Sequence, residues 1–183
     1  MLSLRVASLA DTHAVAAAIA ALARPGDTIV LAGEMGAGKT AFAQGFGAAL
    51  GVTEPITSPT FTLVHSYPLG PRRTLHHADL YRLDSTADVA DLALDELAEF
   101  GGIVLVEWGD VVGGLGEHLE VRLTIDSAHD LDDDLDRDPR DEASDEAGDE
   151  AGPSAREIEI TASGSTWAGR WERLATALAR WRA

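Results

Sequence analysis

The chain has 183 residues, 45% of them hydrophobic and 25% charged, with no cysteine and a formal net charge of −17. Its mean hydropathy is close to zero, at −0.02. That balance suits one soluble domain with a real core, and it excludes disulfides, thiolate metal sites and a basic footprint for nucleic acid. The charge is uneven: thirteen acids and two arginines fall within 126–150, a local −11, so the remainder carries an ordinary −6.

In chain order, LRVASL opens as a short strand, and Asp11-Thr12 are expected to cap a helix that runs to Arg24 and stops at Pro25-Gly26-Asp27. The apolar stretch inside that helix, 14–23, is too short for a bilayer and follows Asp11 and His13 rather than basic residues. It therefore predicts neither a membrane span nor a signal peptide, and a cytoplasmic protein by default. TIVLA (28–32) reads as a buried strand, GEMGAGKT (33–40) as a glycine-rich turn, and residues from about 39 to 50 as a helix closed by Gly51. FTLVHSY and TLHHADLYRL follow as two strands separated by Pro68, Gly70 and Pro71. DVADLALDELAEF has helical spacing, with Val89, Leu92, Leu97 and Phe100 as expected core positions.

GGIVLVEW is a second buried strand and LEVRLTI another. Across 126–153 the composition falls to Asp, Glu, Ala and Gly with little to bury, which predicts a disordered insertion whose carboxylates lack EF-hand spacing. REIEITA resumes as a strand, and WAGRWERLATALARW closes as a helix with Trp167, Trp171, Leu174, Leu178 and Trp181 on one packing face. The whole predicts a single α/β domain over 1–183, P-loop NTPase-like, with a mainly parallel central sheet and helices on both faces.

Lys39 is the only lysine; the other thirteen basic residues are arginines. Gly33, Gly38, Lys39 and Thr40 fit G-x-x-x-x-G-K-[ST] without mismatch, between a strand and a helix. Glycines let such a turn aim backbone N–H groups at phosphates, and the following helix presents its positive end. A compact ammonium reaches the β- and γ-phosphates where a forked guanidinium does not fit, and the threonine hydroxyl holds Mg²⁺. Mg²⁺ also needs an acid at a neighbouring strand end, which Glu107 supplies after four apolar residues. A strand-end carboxylate that caps a helix or pairs with arginine is the other reading of Glu107.

Asp79 orients or deprotonates an attacking water, holds a metal-bound water, or simply forms a turn. His76 and His77 alternate faces of one strand and are read as structural. Trp108 either flanks a nucleotide or packs.

Taken in order, GEMGAGKT, SPTF (58–61), HADLYRL (77–83) and Glu107-Trp108 resemble the TsaE family, formerly YjeE, over roughly 1–125 and more loosely in REIEI and the last helix. The resemblance implies a P-loop ATPase that binds and slowly hydrolyses Mg-ATP. It would support the TsaB and TsaD proteins in threonylcarbamoylation of adenosine 37 of tRNA, and meet tRNA only through that complex. By position, Met35, Gly36, Ala37, Gly38, Lys39 and Thr40 would bind the phosphates, and Thr40 and Glu107 would hold Mg²⁺. Asp79 and Trp108 would be sensitive to substitution, Thr60 would lie near the γ-phosphate, and Thr12 and Arg156 near the adenine. The acidic insertion departs from the compact family pattern.

A small-molecule or nucleoside kinase is the rival function, but the one long insertion is acidic and would repel ATP rather than cover it. A GTPase is excluded by the guanine-reading N/T-K-x-D motif, since the chain has no asparagine and no second lysine.

Overall fold

The structure, a computed structural model, describes residues 1–59, 61–83, 85–112, 114–126 and 155–183. Thr60 and all but the first residue of the acidic stretch lie outside the described residues.

Strands Leu2–Val6 (β1), Thr28–Ala32 (β2), Val64–Pro68 (β3), Thr74–Asp79 (β4), Gly102–Glu107 (β5), His118–Ile125 (β6) and Arg156–Ser163 (β7) form one sheet in the order β1-β7-β6-β2-β5-β4-β3. Its centre, β6-β2-β5-β4, is parallel. Both flanks turn antiparallel, because β3–β4 and β6–β7 pair with their chain neighbours and β1 adds to β7. The expected α/β fold with a parallel centre is therefore observed, and the antiparallel edges refine it.

The helices are Leu9–Ala20 (α1), Lys39–Leu50 (α2), Thr86–Asp91 (α3), Leu94–Glu99 (α4), Gly109–Val112 (α5) and Trp171–Ala177 (α6). Strand alternation divides the core between the sheet's faces. Ile29, Leu31, Leu75, Ile103 and Leu105 pack against α1, α2 and the C-terminal segment. Ala78, Val104 and Val106 pack against Val89 of α3 and Leu94 and Ala98 of α4. The two helices on the first face cross closely: a Cβ on Gly45 would stand 2.7 Å from His13 Cα. No helix among the described residues is long and apolar enough to cross a membrane.

Four local expectations are corrected. The α1 cap is Ser8 rather than Asp11-Thr12: Ser8 Oγ accepts from the Asp11 N–H at 3.1 Å and donates to Asp11 Oδ2 at 2.7 Å, a reciprocal cap that starts the helix at Leu9. The helix expected over 88–100 is split at Ala93, which takes φ +50°, and Phe100 is 88% exposed rather than core. The fourth strand stops at Asp79, so Tyr81 and Arg82 fall in a turn.

The C-terminal helix is shorter than expected, flanked by 3₁₀ turns at Ala168–Arg170 and Ala179–Trp181. Its packing face survives, with Trp167, Leu174, Leu178 and Trp181 buried. Arg170 fastens that segment by donating to both Asp27 carboxylate oxygens, at 2.5 and 2.7 Å, and to the Leu22 and Thr166 carbonyls.

Candidate functional site

β2 is buried along its whole length and delivers the chain into residues 33–38 at the C-terminal edge of the parallel strands, where α2 begins. Gly33, Gly36 and Gly38 all take positive φ, at 131°, 81° and 102°. Gly33 is also pressed against the neighbouring strand, where a Cβ would overlap the Leu123 carbonyl oxygen. The turn thus depends on glycine both for its dihedral and for its space.

Lys39, the first residue of α2, folds its side chain back under this turn. Its Nζ donates to the Gly33 and Glu34 carbonyls, at 2.8 Å each, and lies 3.6 Å from the centroid of the Trp108 ring. Only 5% of the residue is exposed. Burial pushes its ammonium below the ordinary lysine range, opposed by the negative charges of Glu107, Asp110, Asp79 and Glu34. Lys39 is thus caged by two carbonyls and an indole face, with four acids nearby.

Trp108 follows β5 directly and takes φ +63°, unusual for a large side chain. Its N–H donates to the Leu31 carbonyl at 3.0 Å, and its ring lies 5.1 Å from that of Tyr81. The ring both packs against Tyr81 and lines the cleft.

That cleft has a volume of about 370 Å³, with the glycine-rich turn as one wall and Ser58, Asp79, Tyr81, Glu107 and Trp108 as the other. The volume falls within the range of small-ligand sites. Two carboxylates stand side by side in it, because Asp79 and Glu107 are register partners at the ends of β4 and β5. Both are nearly inaccessible, at 3% and 2% exposure, so each negative charge needs donors.

Glu107 Oε2 accepts from the Thr40 hydroxyl at 3.1 Å, and Oε1 lies 2.9 Å from His77 Nε2. Asp79 Oδ1 accepts from the Tyr81 N–H at 2.9 Å, and Oδ2 accepts from the Ser58 hydroxyl. The Tyr81 bond is the turn-forming contact foreseen for Asp79, made without removing the carboxylate from the cleft.

Thr12 and Arg156 are the residues that the resemblance puts near an adenine. Thr12 is buried in α1 with its hydroxyl donating to the Ser8 carbonyl at 3.3 Å, and it does not line this cleft. Arg156, at the start of β7, donates from Nε to the Ala37 carbonyl at 3.1 Å and so braces the glycine-rich turn. Met35 is 68% exposed at the cleft mouth.

His77 is read from sequence as structural and Ser58 only as part of SPTF; both adjoin the two carboxylates. The signal for His77 was present: Leu75, His77 and Asp79 alternate onto one face, whereas His76 points to the other. There His76 bonds the Ser66 hydroxyl through Nδ1 at 2.8 Å, and burial lowers its pKa. Ser58 carried no signal beyond its place in SPTF.

The geometry agrees with what the chain is similar to. The sequence profile of the family described as "Threonylcarbamoyl adenosine biosynthesis protein TsaE" matches residues 6–137. The tRNA threonylcarbamoyladenosine biosynthesis protein TsaE of Bacillus subtilis is 43% identical over 102 residues, which cover 56% of this chain and 63% of that protein. The protein of the same name from Streptomyces coelicolor is 43% identical over 114 residues, 60% of this chain and 75% of its own. The match thus spans less than two thirds of the Bacillus relative. In three dimensions the chain resembles the crystal structure of YdiB from Bacillus subtilis, with a TM-score of 0.63 and 31% identity over 98% of this chain and 94% of that one. On the extent of the profile match, the chain belongs to the TsaE family.

Proposed function

We propose that this chain binds Mg-ATP in the cleft and hydrolyses it slowly, as the ATPase partner of TsaB and TsaD in threonylcarbamoylation of adenosine 37 of tRNA. The observation that carries the reading is Lys39, buried beneath a glycine-rich turn and hydrogen-bonded, among the described residues, to two carbonyls that phosphate oxygens can replace. In that exchange neutral acceptors give way to charged ones, and the hydrogen bonds strengthen. The family membership and the names of the relatives supply the pathway.

The donor set suits a small hard cation. Thr40 Oγ1 and Glu107 Oε2 are two oxygens already in contact, and no group of three or more His, Asp or Glu among the described residues could hold a metal unaided. One carboxylate and one hydroxyl, completed by phosphate oxygens and water, is a typical Mg²⁺ arrangement. When bound, Mg²⁺ would neutralise charge on the β- and γ-phosphoryl oxygens.

The remaining work falls to side chains. Asp79, fixed by the Ser58 hydroxyl and the Tyr81 N–H, presents a carboxylate on the cleft wall that accepts a hydrogen bond from an attacking water. Water attacks the γ-phosphorus, the bond to the β-phosphate oxygen breaks, and ADP and phosphate leave. Lys39 holds the phosphoryl oxygens, and Trp108 covers its ammonium and keeps bulk water from it.

Lys39 is the only basic side chain among the described residues lining the cleft. An added arginine in such sites is worth roughly 10³–10⁵ in rate. Hydrolysis by the chain alone is therefore slow, and partner docking raises it.

Phosphate release from Mg-ATP and Mg-GTP, by the chain alone and with TsaB and TsaD, tests this. An ATP-selective rate that rises with the partners supports the ATPase. Release that needs an added nucleoside acceptor would move the chain to the kinases, and silence under every condition would sink the enzymatic reading.

A further inference from the structure

His77 is wholly buried beside the cleft, two residues before Asp79 on the same face of β4. Its Nε2 faces Glu107 Oε1 at 2.9 Å. The ring proton sits on Nε2, because a lone pair there would oppose a carboxylate lone pair. Nδ1 then has no partner among the described residues. An apolar side chain would fill this position without burying an unpaired nitrogen, so the bond to Glu107 is what histidine supplies here.

The consequence falls on Glu107. A glutamate carboxylate turns freely about its last torsion, which has broad, roughly two-fold wells. A donor on Oε1 from the β4 side fixes that turn and leaves Oε2 directed at Thr40 Oγ1, 3.1 Å away. We propose that His77 is a positioning residue that holds Glu107 so that Oε2 and Thr40 Oγ1 form a preset pair of oxygens for the cation accompanying the nucleotide. This rests on the Mg-ATP reading above. Partners one step behind a metal ligand commonly change metal affinity by about 10–100-fold.

The test is calorimetric binding of ATP to the full chain across a Mg²⁺ titration, with melting temperature followed in parallel. His77→Leu removes the donor. His77→Asn leaves one near the Nδ1 position that does not reach Glu107, and His77→Gln places an amide nitrogen near Nε2. The Leu and Asn variants are expected to need about tenfold or more Mg²⁺ for half-maximal effect, with Mg²⁺-free ATP affinity unchanged, while Gln returns close to wild type. If His77→Leu fails to fold, the Asn and Gln variants decide.

A histidine that only offsets the buried charge of Glu107 would lower the melting temperature and leave the Mg²⁺ requirement alone; that result overturns the proposal. Glu107→Gln separates the two levels. If it raises the Mg²⁺ requirement and the His77 variants do not, only the positioning role fails. If wild-type ATP affinity ignores Mg²⁺, or Glu107→Gln changes nothing, the metal reading fails and takes this proposal with it.

Discussion

Gly33 carries two constraints in one residue: φ is +131°, and the space for a Cβ is already taken by the Leu123 carbonyl oxygen. Gly33→Ala is therefore expected to cost at least about 3 kcal/mol, combining backbone strain with displacement of β6 from β2. Urea unfolding measures the loss, and a midpoint unchanged from wild type would show that the turn relaxes more easily than this packing implies.

Much of the site at this scale was legible in sequence. Lys39, Thr40, Glu107, Asp79 and Trp108 converge on one cleft because a glycine-rich turn, a strand-end acid and an HAD run each mark one place at the same sheet edge. The bond between His77 and Glu107 is not legible in sequence, because a histidine in a strand gives no hint of its neighbour across the ladder. Only the pairing of Asp79 with Glu107 brings it within reach of the carboxylate.

At the scale of elements, the C-terminal segment is held by polar clasps as well as by tryptophans. Glu117 accepts from the Ser165 and Thr166 N–H groups, each at 3.0 Å, and from the Thr166 hydroxyl at 2.5 Å. The Thr166 hydroxyl, followed by the two N–H groups, holds this carboxyl below the ordinary glutamate range. The indole N–H of Trp181 and then the Ser8 hydroxyl do the same for Asp11 at the start of α1.

A carboxyl whose pKa is lowered by folding stabilises the fold fully above its unfolded pKa, and that contribution is lost as pH falls through the folded value. The melting temperature should therefore decline from about pH 5 downward, less steeply in Glu117→Gln than in wild type. Parallel declines in the two proteins would remove Glu117 from the acid response.

None of these clasps could be read from sequence, since the partners are 48 and 170 positions apart. The break at Ala93 was equally hidden: nothing in LALDE resembles a stop, and no glycine or proline marks it. Val89 and Leu94, on either side of the break, pack into the same cluster, while Phe100 faces solvent.

For the whole molecule, the parallel centre was legible because TIVLA and GIVLVE are continuous apolar runs, which only strands covered on both faces tolerate. The antiparallel flanks were not. β6 and β7 alternate buried and less buried residues, a pattern equally compatible with either direction, and the structure pairs them antiparallel. Of the net charge of −17, −11 falls in the sequence between β6 and β7, whose register meets at Ile125 and Arg156, and Arg156 in turn bonds the glycine-rich turn.

In the proposed function the sheet edge that carries this turn is an anion cradle built around Lys39. Calorimetric titration of Mg-ATP into the wild-type chain and into Lys39→Ala tests it most directly. We expect one Mg-ATP per wild-type chain, and no measurable binding to a Lys39→Ala protein that still melts cooperatively. Equal affinity in the two proteins would contradict the account.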